Sequence, residues 1–166
     1  MSTYVIFDGD NDGWAYQYIR GWAANRRLGF AFENSHDLDN MTSAAANEEY
    51  VKRRLRARME GSTLAMVLVG EKTKNLYRYV RWEIEVALKL GVPIVVVNLN
   101  KRRDIDDDRL PPNLRGICAL HIAYRYRAIK HAINTWANAS SRFDAATRAQ
   151  GGRVYSADTY RELGLG

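Results

Sequence analysis

Along the chain, short continuous apolar runs alternate with longer stretches whose apolar residues recur three and four positions apart. Runs bounded by turn residues mark strands buried on both faces, and the wider spacing marks amphipathic helices. Tyr4 to Phe7 is the first run, ended by Gly, Asp and Asn. Trp14, Tyr18 and Trp22 follow at i, i+4 and i+8, a helical stripe stopped by Gly29. Phe30 to Phe32 predicts a short strand before a polar loop. Residues 44–60 predict a second helix with Val51, Leu55 and Met59 inward, and Leu64 to Val69 a strand closed by Gly70. Residues 78–90 predict a third helix stopped by Gly91, and "VPIVVVNLN", the most β-branched run, a central strand. After an acidic, proline-containing loop, "ICALHIAY" predicts a last strand and residues 125–142 a terminal helix around Ile129, Ile133 and Trp136.

Strands that alternate with helices and are apolar on both faces predict an α/β fold. The sheet is parallel, with about five strands and helices on both sides. The right-handed crossover rule then selects an open, doubly wound, flavodoxin-like sheet, which binds ligands at the carboxyl ends of its strands. Residues 1–142 are expected to form this domain. The tail 143–166, whose final part "GGRVYSADTYRELGLG" starts with the paired Gly151 and Gly152, is expected to be a peripheral or flexible extension.

Composition narrows the class. The 166 residues suffice for one domain with a real core, and no apolar run reaches the roughly 18 residues of a membrane span. The start "MSTYVIFDGD" lacks the basic segment of a signal peptide, and Cys118 is the single cysteine, so a cytoplasmic setting is expected. Cys118 itself reads as a small buried apolar residue. The net charge is +6. Lys52, Arg53 and Arg56 fall on the solvent side of the second helix, so the basic balance reads as a solvated helix face, with no direct nucleic-acid partner. Attraction of an anionic small molecule is the other use of such charge.

The chemistry is concentrated first in "IFDGDNDGW", where Asp8, Asp10 and Asp12 alternate directly after the first strand. A calcium loop would need a bidentate carboxylate at its twelfth position and a helix in front; that position is Ile19, and a strand precedes. Asp8-x-Asp10 also resembles the nucleophile motif of haloacid-dehalogenase-like phosphatases, with Thr73, Lys101 and the Asp106–Asp107 pair as the remaining parts. Against that, Asn11 follows the second Asp, and the acidic run lies well beyond its strand. The plain alternative is that Asp12 caps the helix starting at Gly13 while its neighbours favour the positive helix end. No metal ligand set is assigned.

The second concentration is "YRYVRWEIEVALKLGVPIVVV". At 100° per residue, Val80, Ile84, Ala87 and Leu88 share one face, Glu85 points to solvent, and Glu83 lies at the border. A carboxylate partly desolvated near a sheet edge has a raised pKa and suits acid/base or cation-stabilising work. The competing reading is a border Glu paired with Arg81 or Lys89.

Tyr79-Val80-Arg81-Trp82-Glu83-Ile84, opening a helix between two apolar strands, resembles NAD-consuming Toll/interleukin-1 receptor (TIR) domains. Closer still are the TIR-like proteins of the Thoeris anti-phage system, whose successive blocks look like "VIFDGDNDGWAY", "NSHDLDN", "VLVGEKTKNLYRYVRWEIEVAL", "VVVNLN" and "PPNLRG". The resemblance runs from about residue 4 to residue 136. It implies that Glu83 is the catalytic glutamate, stabilising the oxocarbenium-like state as the bond to nicotinamide breaks, and that Tyr79 lines the pocket. It also implies that Phe7, Asp8, Asp10 and Asn11 form the opposite wall and that His36 and Asp37 belong to the bordering BB loop. Where such enzymes carry Ser or Tyr in the first block, this chain has Asp8 and Asp10. Those carboxylates would repel a pyrophosphate and suit ribose hydroxyls. The implied activity is cleavage of NAD, as substrate rather than cofactor, to an ADP-ribose-derived signal, linear or cyclic. That signal would reach a separate effector, with self-association and a phage-derived trigger. A non-catalytic TIR-like assembly module is the alternative from another class.

Overall fold

The computed structural model describes residues 2–25, 47–77 and 79–166. The expected strand at Phe30 to Phe32 and the loop with His36 and Asp37 lie outside the described residues. Four strands form where the apolar runs are densest: β1 (Thr3–Ile6), β2 (Leu64–Val69), β3 (Ile94–Asn98) and β4 (Leu120–Ala123). The helices α1 (Gly13–Ala24), α2 (Glu48–Met59), α3 (Tyr79–Leu90) and α4 (Tyr126–Ser141) lie between and after them. A short α5 (Ala145–Ala149), a two-residue β5 (Arg153–Val154) and α6 (Ala157–Glu162) complete the chain. Local chemistry sets several of these limits. Asn47 caps α2 through hydrogen bonds from Glu49 and Tyr50 backbone N–H groups, and Gly91, at φ 70°, takes the left-handed turn that ends α3.

Among the described residues the sheet runs β1-β2-β3-β4-β5, every pair parallel. Strand alternation splits the core in two. Val5, Met66, Leu68, Val97 and Ile122 pack against α1 and α4; Tyr4, Val67, Val69 and Val96 pack against α2 and α3. Between β1 and β2 the chain therefore passes from a helix on one face to a helix on the other, which makes the α/β fold doubly wound. Side chains such as Ile19, Leu55 and Ile84 are fully buried, each contributing about 1.5–3 kcal/mol of transfer free energy.

Three features differ from the sequence reading. "ICALHIAY" is not the last strand: Arg153 and Val154 pair with Leu120 and His121 at the sheet edge. The tail is thus anchored at its edge position. Tyr160 is buried, its hydroxyl accepts from the Ala123 N–H at 3.1 Å, and the Arg103 guanidinium lies 4.2 Å over its ring. Cys118 is half-buried rather than enclosed. Finally, the Trp14–Tyr18–Trp22 stripe is not the inner face of α1. Ala15, Tyr16 and Ile19 are buried there, while Trp14 and Tyr18 stay 51% and 61% exposed. Those rings instead build a surface ladder with Tyr124, Trp14 and Trp22 lying 5.7 and 5.6 Å from it.

Candidate functional site

Parallel pairing of Ile6 with Val67 brings the ends of β1 and β2 together, and with them the Asp8–Asp12 loop and the Gly70–Thr73 turn. Two of the three loop carboxylates, those of Asp8 and Asp12, are occupied. Asp8 is buried and folds back on its own loop, accepting from the Asp10 backbone N–H at 3.0 Å and the Asn11 side-chain amide at 2.7 Å. The Asp8 carbonyl accepts from the Asn11 and Asp12 N–H groups as well, so the turn is fixed from both ends. Asp10 and Asn11 remain exposed.

Asp12 stands at the N-cap of α1, but its side chain makes no cap hydrogen bond. The capping expected from sequence is replaced by a tertiary contact. The Thr73 hydroxyl, 3.1 Å away, donates to the Asp12 carboxylate and accepts from the Gly70 N–H at 2.8 Å. Gly70 is the residue that permits this approach, because an added Cβ would overlap the Asp12 carboxylate. Burial pushes the Asp12 pKa up and the Asp8 charge adds to it, against the lowering effects of the Thr73 hydrogen bond and Arg109.

The other members of the phosphatase-like set are spread out. Thr73 serves Asp12, and Lys101 is exposed at a left-handed position, φ 67°. Asp106 accepts from the Asn100 amide at 2.8 Å and pairs with Arg102 at 3.2 Å. Burial alone would raise its pKa, but Asn100 and Arg102 hold it low. The β3–β4 connection that carries it is pinned at its root by the Asn98 amide, which donates to the Arg102 and Asp104 carbonyls.

Glu83 is the contrast. It is 0% exposed, deeper than a border position, within the apolar layer of Val80, Ile84 and Ala87. Val80, Glu83, Ile84 and Ala87 stand at i, i+3, i+4 and i+7, which is one buried helix face. That face is wide because α3 packs on the sheet and also on α2, to which Lys52 ties it through Glu85 at 2.6 Å. Glu83 meets Tyr4 of β1: burial raises the Tyr4 pKa, and the Glu83 charge and hydrogen bond raise it further, while Arg58 of α2 opposes them. Tyr4 and Arg58 were not read as site residues from the sequence. No local signal marks them, since Glu83 and Arg58 both act on Tyr4 only once α2 and α3 cover β1.

The structure brings Phe7, Asp8, Asp10 and Asn11 together on one loop, with Phe7 stacked on Tyr16 at 4.5 Å. It places Tyr79 half-buried one turn before Glu83, its ring 6.0 Å from Trp82. Three clefts among the described residues have other linings. One of about 330 Å³ lies between α2 and α3, among Lys52, Arg56, Glu85 and Lys89. A second, about 210 Å³, lies under the β3–β4 connection beside His121, and a third adjoins α4. His121 is 1% exposed, and burial drives its pKa down to about 4, against the opposing pull of Asp107. No helix among the described residues is long and apolar enough to cross a membrane.

Residues 4–104 match the family model described as Thoeris protein ThsB, TIR-like domain. The matched span holds β1 to β3, the acidic loop and all of α3. No curated protein matches the chain.

Proposed function

The chain belongs to the TIR-like domain family of the Thoeris protein ThsB, which gives it a role in anti-phage defence. From that premise we propose that it cleaves NAD at the nicotinamide bond and releases an ADP-ribose-derived signal. The observation that carries this reading is Glu83, a carboxylate held in an apolar layer one turn into α3. Breaking a glycosidic bond to nicotinamide builds positive charge on the ribose, and a carboxylate in a water-poor setting stabilises such charge far more than one in water. Tyr79, on the preceding turn, offers a ring for the departing nicotinamide. The Asp8–Asn11 loop offers exposed Asp10 and Asn11 to ribose hydroxyls. Because Glu83 is fully buried, the reading requires α3 or its cover to shift when substrate enters.

That same burial supports a second reading, a non-catalytic assembly module in which Glu83 and Tyr4 are a structural pair. The two separate in one experiment. Oligomerised or phage-triggered protein is incubated with NAD and nicotinamide release is followed by chromatography. The enzyme reading expects release from the wild type and none from Glu83→Ala. Equal release from both, or none under any condition, favours the module.

A further inference from the structure

The third cleft, of about 370 Å³, lies between α4 and the end of α6. From α4 it is lined by Arg127, Lys130, His131 and Asn134; from the other side come Glu162 and Leu163. The four α4 residues stand at i, i+3, i+4 and i+7, so they form one helix face. Each presents N–H donors, and Glu162 is the single carboxylate in the lining. The face is not a salt-bridged solvent surface. The sequence of α4, YRAIKHAINTWANASS, has no acidic residue, and Lys130 has no carboxylate partner among the described residues. Two cations three residues apart repel each other, and their place in the first turns of α4 opposes the helix dipole. This is a local cost that a bound anion would offset.

The cleft is also built. The Arg127 guanidinium donates to the Leu163 carbonyl at 3.1 Å. Gly164, at φ 75°, permits the contact, since a Cβ there would collide with the guanidinium. Arg103 holds the same segment by donating to the Leu165 carbonyl at 2.7 Å. Arg127 is therefore fixed before any ligand arrives, with further N–H groups left over, and fixing a side chain in advance reduces the entropy lost on binding. Tyr126, packed 5.6 Å from Trp22, closes one end of the cleft with an aromatic ring.

We propose that this cleft binds a phosphorylated small molecule of mononucleotide size. Arg127 and Lys130 take the phosphate, His131 and Asn134 hydrogen-bond to polar edges, and the Tyr126 ring lies beside the remainder. A volume of this size is at the lower end of ordinary ligand pockets. Glu83 packs with α2 and α3 and the cleft lies with α4, on the other face of the sheet, so the proposal does not depend on NAD cleavage.

The test is calorimetric titration of the full chain with AMP, adenosine and inorganic phosphate at low salt. One saturable AMP site is expected, weakened by added salt, undetectable for adenosine and subject to competition by phosphate. Lys130→Gln and Lys130→Glu should weaken AMP by roughly tenfold or more, whereas Glu162→Gln should tighten it. Thermal melts without ligand identify any variant that has lost its fold, and Lys130→Gln then serves alone. Glu83→Gln should bind AMP as the wild type does, which separates failure here from failure of the cleavage reading. Equal binding of AMP and adenosine, absence of AMP binding, lack of competition by phosphate, or wild-type affinity in a folded Lys130 variant would overturn the proposal.

Discussion

Asp12 and Glu83 are both carboxylates buried at the β1 side of the sheet, yet they are held in opposite ways. Asp12 sits at the strand ends, wrapped by Thr73, with Gly70 shaped around it. Glu83 sits within an apolar layer, against the Tyr4 phenol. A carboxylate closely fitted by its neighbours is part of the architecture. One set in an apolar layer is weakly screened, so its charge acts strongly on whatever lies beside it.

The two carboxylate environments respond differently to substitution. The largest effect is expected at Gly70→Ala, where the new Cβ displaces the Asp12 carboxylate. A loss of about 3 kcal/mol in urea unfolding is expected. A near-neutral result would mean that the Asp12–Thr73 contact is not structural.

Acid stability separates the two faces by a similar amount. His121 lies with Leu110 and Leu114, which pack on the α2–α3 side. Its folded pKa of about 4 is below its ordinary 6.5, so the unfolded chain binds the proton more readily between those values. The stability it confers is fully present above 6.5 and lost as pH falls toward 4, roughly 3 kcal/mol in all. Asp12 has the opposite sign: a raised pKa means that protonation favours the folded state. Denaturant melts from pH 7 downward should therefore show an acid loss that His121→Leu largely removes. Persistence of the loss would shift its cause to the carboxylates.

Thr73→Val strands both the Gly70 N–H and the Asp12 carboxylate, and about 2 kcal/mol is expected by the same unfolding measurement. Tyr4→Phe, which touches Glu83 and leaves the loop intact, should cost about 1 kcal/mol. A larger loss than at Thr73 would reverse the assignment of which carboxylate is structural.

Much of the fold was legible because its signals are local. The β-branched and apolar runs announced β2 and β3, and the spacing of Val51, Leu55 and Met59 announced the inner face of α2. What escaped depends on long-range contact. β5 has only two residues, too few for any period, and exists because β4 offers an edge. The exposure of Trp14 and Tyr18 follows from which side of α1 meets the sheet, which a stripe of large rings does not specify. Asp12 was legible as an N-cap and is in position one, but a hydroxyl 61 residues away takes its side chain. Glu83 was legible as a special position, while its depth depends on α2 covering α3 from the far side.

Glu83, and not the acidic loop, is proposed to carry the chemistry. The direct test measures nicotinamide release by the assembled protein for wild type, Glu83→Gln and Asp8→Asn side by side. A loss on the order of 100-fold or more is expected for Glu83→Gln, with Asp8→Asn retaining measurable turnover. Full activity in Glu83→Gln with loss in Asp8→Asn would contradict that proposal.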